Sequence, residues 1–229
     1  MGPAILWVAL LGALLCQVVA NFQLAPLRPA IDEMPYPPSP QAMKALALGD
    51  DQFLFRSEIS WLQEVGDGGG RLRPLKDYDY GRVINWLREI DRLDPQSQSI
   101  FALGSTYFGA ITDPVLAPPK VKLLAQFFAE AGAADPAQRW SWLVWSAIKT
   151  QHIVRDPDLA RSIAGSLLSL PSPPAVPDWL PLLAAPLYRT AGDADKAASL
   201  DLDPDMIARH RRVHDNLSAR LGWSSNRNP

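Results

Sequence analysis

From residue 41 onward, apolar positions recur at three- and four-residue spacing, the period of one buried helix face. Phe55, Ile59 and Leu62, with Trp61 beside them, mark such a face on a helix that Asp50 or Asp51 caps and that reaches Val65. A shorter helix over 41–48 precedes it and closes at Gly49. Trp86, Leu87, Ile90 and Leu93 form the next stripe; Phe101, Leu103, Gly104, Tyr107 and Phe108 form another. Leu93-Asp94-Pro95 separates the two, because Pro95 cannot extend the first helix and disfavours helix at Asp94. A short turn between two amphipathic helices predicts an antiparallel hairpin. Neither helix of such a pair buries its apolar face alone, so the pair predicts a stack of like units.

The rest of the chain continues the pattern. Residues 112–120 read as a loop, and 121–131 as a helix with Leu124, Phe127 and Phe128 inward. Asp135-Pro136 repeats the hinge 41 residues after Asp94-Pro95, and Trp140, Leu143, Val144 and Ala147 follow it. Asp156-Pro157 turns the chain into a helix over 158–170, and 171–177 is a proline-rich junction. Trp179, Leu182, Leu183 and Leu187 open a further helix; Pro181 suits its first turn, whereas Pro186 should kink or end it. Gly192-Asp193 is a corner before a short helix over 196–200. Asp203 as cap, Pro204 at the first helical position and Gly222 past the end define a helix over 204–221, with Met206, His210, Val213 and Leu217 on one face. The tail from 224 is expected to fray.

Ahead of this helical region lie two segments of different character. Residues 4–20 carry no charge, a length at the short edge of a membrane span. An uncleaved anchor, with the apolar stretch extending through Phe22 and Leu24, is the preferred reading. A secretory signal cut after Ala20 is the alternative, since Val18-x-Ala20 offers small residues at the cleavage position. Arg28 after the span favours a cytoplasmic body by the charge rule, but the export-like leader points outward. The expectation is a single-pass inner-membrane protein with its bulk in the periplasm. Residues 26–40 are rich in proline and read as a semi-rigid spacer lifting the domain off the bilayer. The division is therefore 1–25 anchor or signal, 26–40 spacer, 41–223 helical domain and 224–229 tail.

Composition changes this picture little. The 229 residues are 48% hydrophobic and 20% charged with net charge −2, ordinary for a globular chain and without the basic excess that nucleic acid requires. The single cysteine, Cys16, lies in the leader, so the domain holds no disulfide and no thiolate metal site.

Candidate chemistry is sparse. Residues 66–70 read GDGGG, but the phosphate-cradling loop needs Lys followed by Ser or Thr after its last glycine, and Arg71-Leu72 stands there. Residues 71–80, RLRPLKDYDY, gather Arg71, Arg73, Lys76, Tyr78 and Tyr80 between helices. Such a loop suits a polar contact surface for a protein partner. It equally suits internal work, with Asp79 capping the next helix and Arg71 or Lys76 pairing with Asp77. His210 and His214 lie four apart on the last helix, with Asp215 beside them, but no third ligand is evident and no metal or cofactor is expected. No nucleophile-elbow motif occurs, and Glu58 and Glu64 point to different helix faces. Asp193, Asp195, Asp201, Asp203 and Asp205 give way to Arg209, Arg211, Arg212 and Arg220. This complements the last helix's dipole and offers Arg209 and Arg212 as further partner contacts.

The run Leu93-Asp94-Pro95 … Leu103-Gly104-x-x-Tyr107 resembles the junction between two tetratricopeptide repeats, and residues 140–147 and 179–198 follow the same pattern more loosely. The hinge spacing of 41 and then about 36 to 38 residues is close to the 34-residue repeat. The likeness covers about residues 41–203. It departs at the 112–120 insertion and at Pro181 and Pro186. Together with the leader it is similar to bacterial membrane-anchored helical-repeat proteins. That resemblance implies an all-α fold of stacked hairpins, a short solenoid, and a non-enzymatic scaffold binding other proteins as an accessory or assembly subunit of a membrane complex. A periplasmic helical enzyme acting on a cell-wall polymer is the alternative.

Overall fold

The computed structural model describes residues 3–24, 34–65, 67–68, 71–171 and 175–221, with side-chain surroundings in the last helix described as far as Val213. These residues are mainly helical: α1 (Pro3–Leu24), α2 (Pro40–Leu46), α3 (Asp51–Glu64), α4 (Tyr80–Asp91), α5 (Ser99–Ala102), α6 (Ala117–Ala134), α7 (Pro136–Lys149), α8 (Pro157–Leu168), α9 (Ala184–Thr190), α10 (Ala194–Asp201) and α11 (Pro204–Leu221). A two-rung antiparallel ladder pairs Asp67 with Leu72 and Gly68 with Arg71, where a loop was expected. In α1 the described side chains, Trp7 and residues 10–19, are all exposed. Among the described residues no helix is long and apolar enough to cross a membrane.

Caps and corners follow the sequence closely. Asp50 accepts from the Phe53 amide at 2.8 Å to start α3, after a corner in which Leu48 and Gly49 take positive φ of 49° and 89°. Asp79 caps α4 through the amides of Gly81 and Arg82. Asp156 caps α8 at 2.9 Å from the Leu159 amide, and Asp203 caps α11. Each carboxylate satisfies amide donors that a helix start leaves unpaired.

Both aspartyl-proline hinges are real. α4 ends at Asp91, and α5 starts beyond Pro95; α6 ends at Ala134, and Pro136 opens α7 with Asp135 as its cap. The segment after the first hinge is not one regular helix. α5 widens into a π-helical turn, Leu103–Tyr107, then tightens into a 3-10 turn, Phe108–Ala110. Leu103, Gly104 and Phe108 are nonetheless buried, so the apolar stripe points as expected.

Proline accounts for two further corrections. The expected 112–120 loop is shorter, because α6 begins at Ala117 with Pro118 and Pro119 in its first turn, where an amide is not needed. Pro186 causes no kink inside a helix. The chain runs as a 3-10 turn over Leu180–Leu183 and only then becomes α9, so Pro186 also falls in a first turn.

Successive helices pack mainly on their chain neighbours, and α6 with α7 forms the most extensive pair. They approach closely at Gly132, where a Cβ would stand 2.8 Å from Leu143 Cγ. Aromatic rings fill the centre: Phe128 lies 5.3 Å from Trp142, 5.2 Å from Trp145 and 5.3 Å from Phe101. Trp145 touches the core beneath α2–α7 and the core beneath α6–α10.

Residues 34–40 correct the spacer reading. Met34 is buried in the α2–α7 core, Arg82 donates to its carbonyl at 2.8 Å, and the Trp86 indole donates to the Pro35 carbonyl at 2.7 Å. This half of the proline-rich stretch lies on α4. Residues 26–33 fall outside the described residues.

Candidate protein-contact surfaces

The 71–80 loop divides into an inner and an outer part. Tyr78 and Tyr80 are 3% and 2% exposed, so neither offers surface to a partner. The Tyr78 hydroxyl donates to the Val65 carbonyl and the Tyr80 hydroxyl to the Phe108 carbonyl. Burial raises the Tyr80 phenol well above its ordinary value, with Tyr107 and Tyr78 adding to the effect. The Lys120 ammonium donates to the Tyr78 carbonyl and stands 5.0 Å over the Tyr80 ring; burial lowers its pKa.

The physical reason lies in the cap. With Asp79 capping α4, Tyr78 precedes the cap and Val83 occupies the fourth helical position, the pairing of a hydrophobic staple; both are buried. That spacing was legible in the sequence and marks Tyr78 as inward-facing. Arg73 donates to the Asp77 carbonyl and lies 5.4 Å over the Tyr78 ring. Lys76 is exposed, and the side chain of Arg71 falls outside the described residues. Of this group, Arg73 lines a concavity of about 200 Å³ together with Met34, Asp77 and Arg82.

Arg209 and Arg212 do come together, on one carboxylate. Arg209 reaches Asp178 at 2.6 Å and Arg212 reaches it at 2.7 Å, which fastens α11 to the turn before α9. Their first role is therefore to hold α11 in place. Beside them α9, α10 and α11 enclose a groove of about 570 Å³. Leu182, Ala185, Leu200 and Met206 supply its apolar lining, while Arg189, Asp201, His210 and Arg211 supply polar groups. Arg189 pairs with Asp201, and Ile207 is 44% exposed beside them. The sequence marked Met206 and His210 as one face of α11 but held no sign that α9 and α10 would leave that face partly uncovered.

A buried ionic node was missed entirely. Arg139, 6% exposed, holds both oxygens of Asp91 at 2.8 and 2.9 Å and also donates to the Pro95 carbonyl. Its guanidinium lies 4.3 Å over the Trp142 ring, and the Trp142 indole donates to Gln98. Burial raises the Asp91 carboxyl above its ordinary value, more than the Arg139 bonds lower it. The node ties the first hinge to the helix after the second.

Among the described residues no group of three metal-ligating side chains converges; the side chains of His214 and Asp215 fall outside them. His152 is exposed in the turn after α7. Burial raises the Glu58 carboxyl. Comparison with protein families, with curated proteins and with solved structures gives no match.

Proposed function

We propose that this chain is a membrane-tethered, TPR-like helical scaffold that holds another protein, as an accessory or assembly subunit of a membrane complex with its bulk in the periplasm. The groove between α9, α10 and α11 carries the reading. An apolar floor with a charged rim is the anatomy of a protein-recognition site, where buried anchors supply affinity and rim charges set register. At about 570 Å³ it accommodates the apolar side chains of one helix or extended segment. Neighbour-on-neighbour helix packing, turned at Asp94-Pro95 and Asp135-Pro136, supports a short solenoid. The tether is supported by the composition of α1, 22 residues without a charged side chain, about 33 Å at 1.5 Å per residue.

The test is a photo-cross-linking residue at Ile207 in the full-length tagged chain, activated in its own membranes. A discrete protein adduct that Met206→Asp abolishes is the expected outcome. An adduct pattern untouched by Met206→Asp would sink the groove reading. Separately, the full chain should stay with membranes through an alkaline carbonate wash, and release into the supernatant would remove the tether.

A further inference from the structure

We propose that the face of α4 carrying Arg82 and Trp86 is a recognition groove for extended, proline-bearing segments, and that residues 34–40 are its built-in occupant. Arg82 and Trp86 lie four residues apart, so they share a helix face. Arg82 donates to the carbonyl of Met34 at 2.8 Å and Trp86 to that of Pro35 at 2.7 Å. Two side-chain donors thus read two consecutive carbonyls. A polyproline-type strand makes no internal hydrogen bonds, which leaves its carbonyls open to such reading.

The rest of the contact grips shape. Met34 is 4% exposed and enters the core. The Tyr36 ring lies 4.4 Å from the Arg82 guanidinium yet remains 67% exposed. Pro37 and Pro38 are half-buried along a cleft of about 380 Å³ that Asn85, Arg88, Glu89 and Arg92 line. Trp61 packs against Trp86, ring centroids 4.6 Å apart and planes tilted by 48°.

The occupant arrives nearly pre-ordered. Pro35, Pro37, Pro38 and Pro40 fix their own φ, and each residue before a proline is driven to extended backbone. Ser39, at φ −61° and ψ 156°, sits in that region. Because α2 starts at Pro40, the segment is tethered beside its groove at high effective concentration. The donors read main-chain carbonyls, so a partner segment of the pattern apolar-Pro-aromatic-Pro-Pro fits the same face. Residues 34–40 act as the competitor it must displace. This inference uses no residue of the α9–α11 groove, and its failure leaves that reading standing.

The experiment uses the full-length chain and a capped synthetic peptide of residues 34–41. In an opened variant (P35G, Y36G, P37G and P38G together) the peptide should bind saturably by tryptophan fluorescence. Wild type should need at least tenfold more peptide. Adding Trp86→Phe to the opened variant should weaken binding about tenfold, and a peptide of the same composition in scrambled order should not compete. Absence of saturable binding by an opened variant with wild-type helical circular dichroism overturns the proposal. So does indifference to Trp86→Phe or equal binding of the scrambled peptide. Should the opened variant lose its helical signal, Tyr36→Ala alone replaces it: peptide binding at several-fold lower concentration than wild type supports the groove, and equal concentrations overturn it.

Discussion

The guanidinium of Arg139 meets both carboxylate oxygens of Asp91, at 2.8 and 2.9 Å, across 48 residues of chain. The side chains are 7% and 17% exposed, so the pair is largely out of water. Removing one partner strands a buried charge, whereas removing both does not. Arg139→Met should therefore cost about 3–5 kcal/mol in urea unfolding. The double variant Arg139→Met with Asp91→Leu should recover a substantial part of that loss. If the double variant is as unstable as the sum of the two singles, the ionic account of the node is wrong.

Two glycines in helices should respond in opposite directions. A Cβ on Gly132 would stand 2.8 Å from Leu143 Cγ and 3.0 Å from the Arg139 carbonyl oxygen, across the α6–α7 contact. Gly132→Ala should cost about 1–3 kcal/mol by overpacking. Gly165 is exposed on α8 and a Cβ there meets nothing within 4 Å. Gly165→Ala should gain about 0.5–1 kcal/mol from helix propensity. Thermal melts of the two variants decide it, and a Gly132→Ala variant as stable as wild type would contradict the close α6–α7 approach.

Tyr80→Phe deletes the hydroxyl that donates to the Phe108 carbonyl at 2.7 Å in the buried core. The orphaned carbonyl should cost about 1–3 kcal/mol. Tyr78→Phe should behave alike through the Val65 carbonyl. Losses near zero in both would mean that water reaches these carbonyls.

Acid should weaken the fold through its aspartates. The Lys122 bond and the Leu159 amide hold the Asp156 carboxyl below its ordinary value. Arg161 does the same to Asp193, and the amides of Leu116 and Val115 to Asp113. Each folded-state value lies below the unfolded one. The stabilisation is therefore whole above the ordinary carboxylate range near 4, and is lost as pH falls through the depressed values. Asp91 works against this trend, because its folded value lies above the unfolded one and its contribution grows as pH falls. Urea midpoints measured from pH 6 down to pH 2.5 should decline below about pH 4, and Asp156→Asn should flatten the decline.

How much of this was legible in the sequence depends on whether the signal was local. Asp50, Asp79 and Asp203 sit where caps were read, and Asp135 and Asp156, read only as turns before a proline, prove to be caps as well, because a cap is decided within four residues. The hinges were legible for the same reason. Pro186 was over-read as a helix breaker, because the stripe from Trp179 placed it in a helix interior whereas α9 begins only at Ala184. What could not be read was long-range: Arg139 choosing Asp91, Arg209 and Arg212 converging on Asp178, and the Met34 and Pro35 carbonyls finding Arg82 and Trp86. The misplacement of Tyr78 and Tyr80 was of a third kind. Their residue types suggested surface, while the staple spacing that turns Tyr78 inward was present in the sequence.

The fixing of Met34 to α4 shortens a leash. Nine residues lie between Leu24, where α1 ends, and Met34, and a fully stretched chain covers at most about 36 Å over the ten peptide steps. Wherever α1 lodges, the α4 flank cannot stray farther than this. Freeing 34–40 would let out about another 20 Å of chain, so displacing the proline strand would also change how far the helical body can roam.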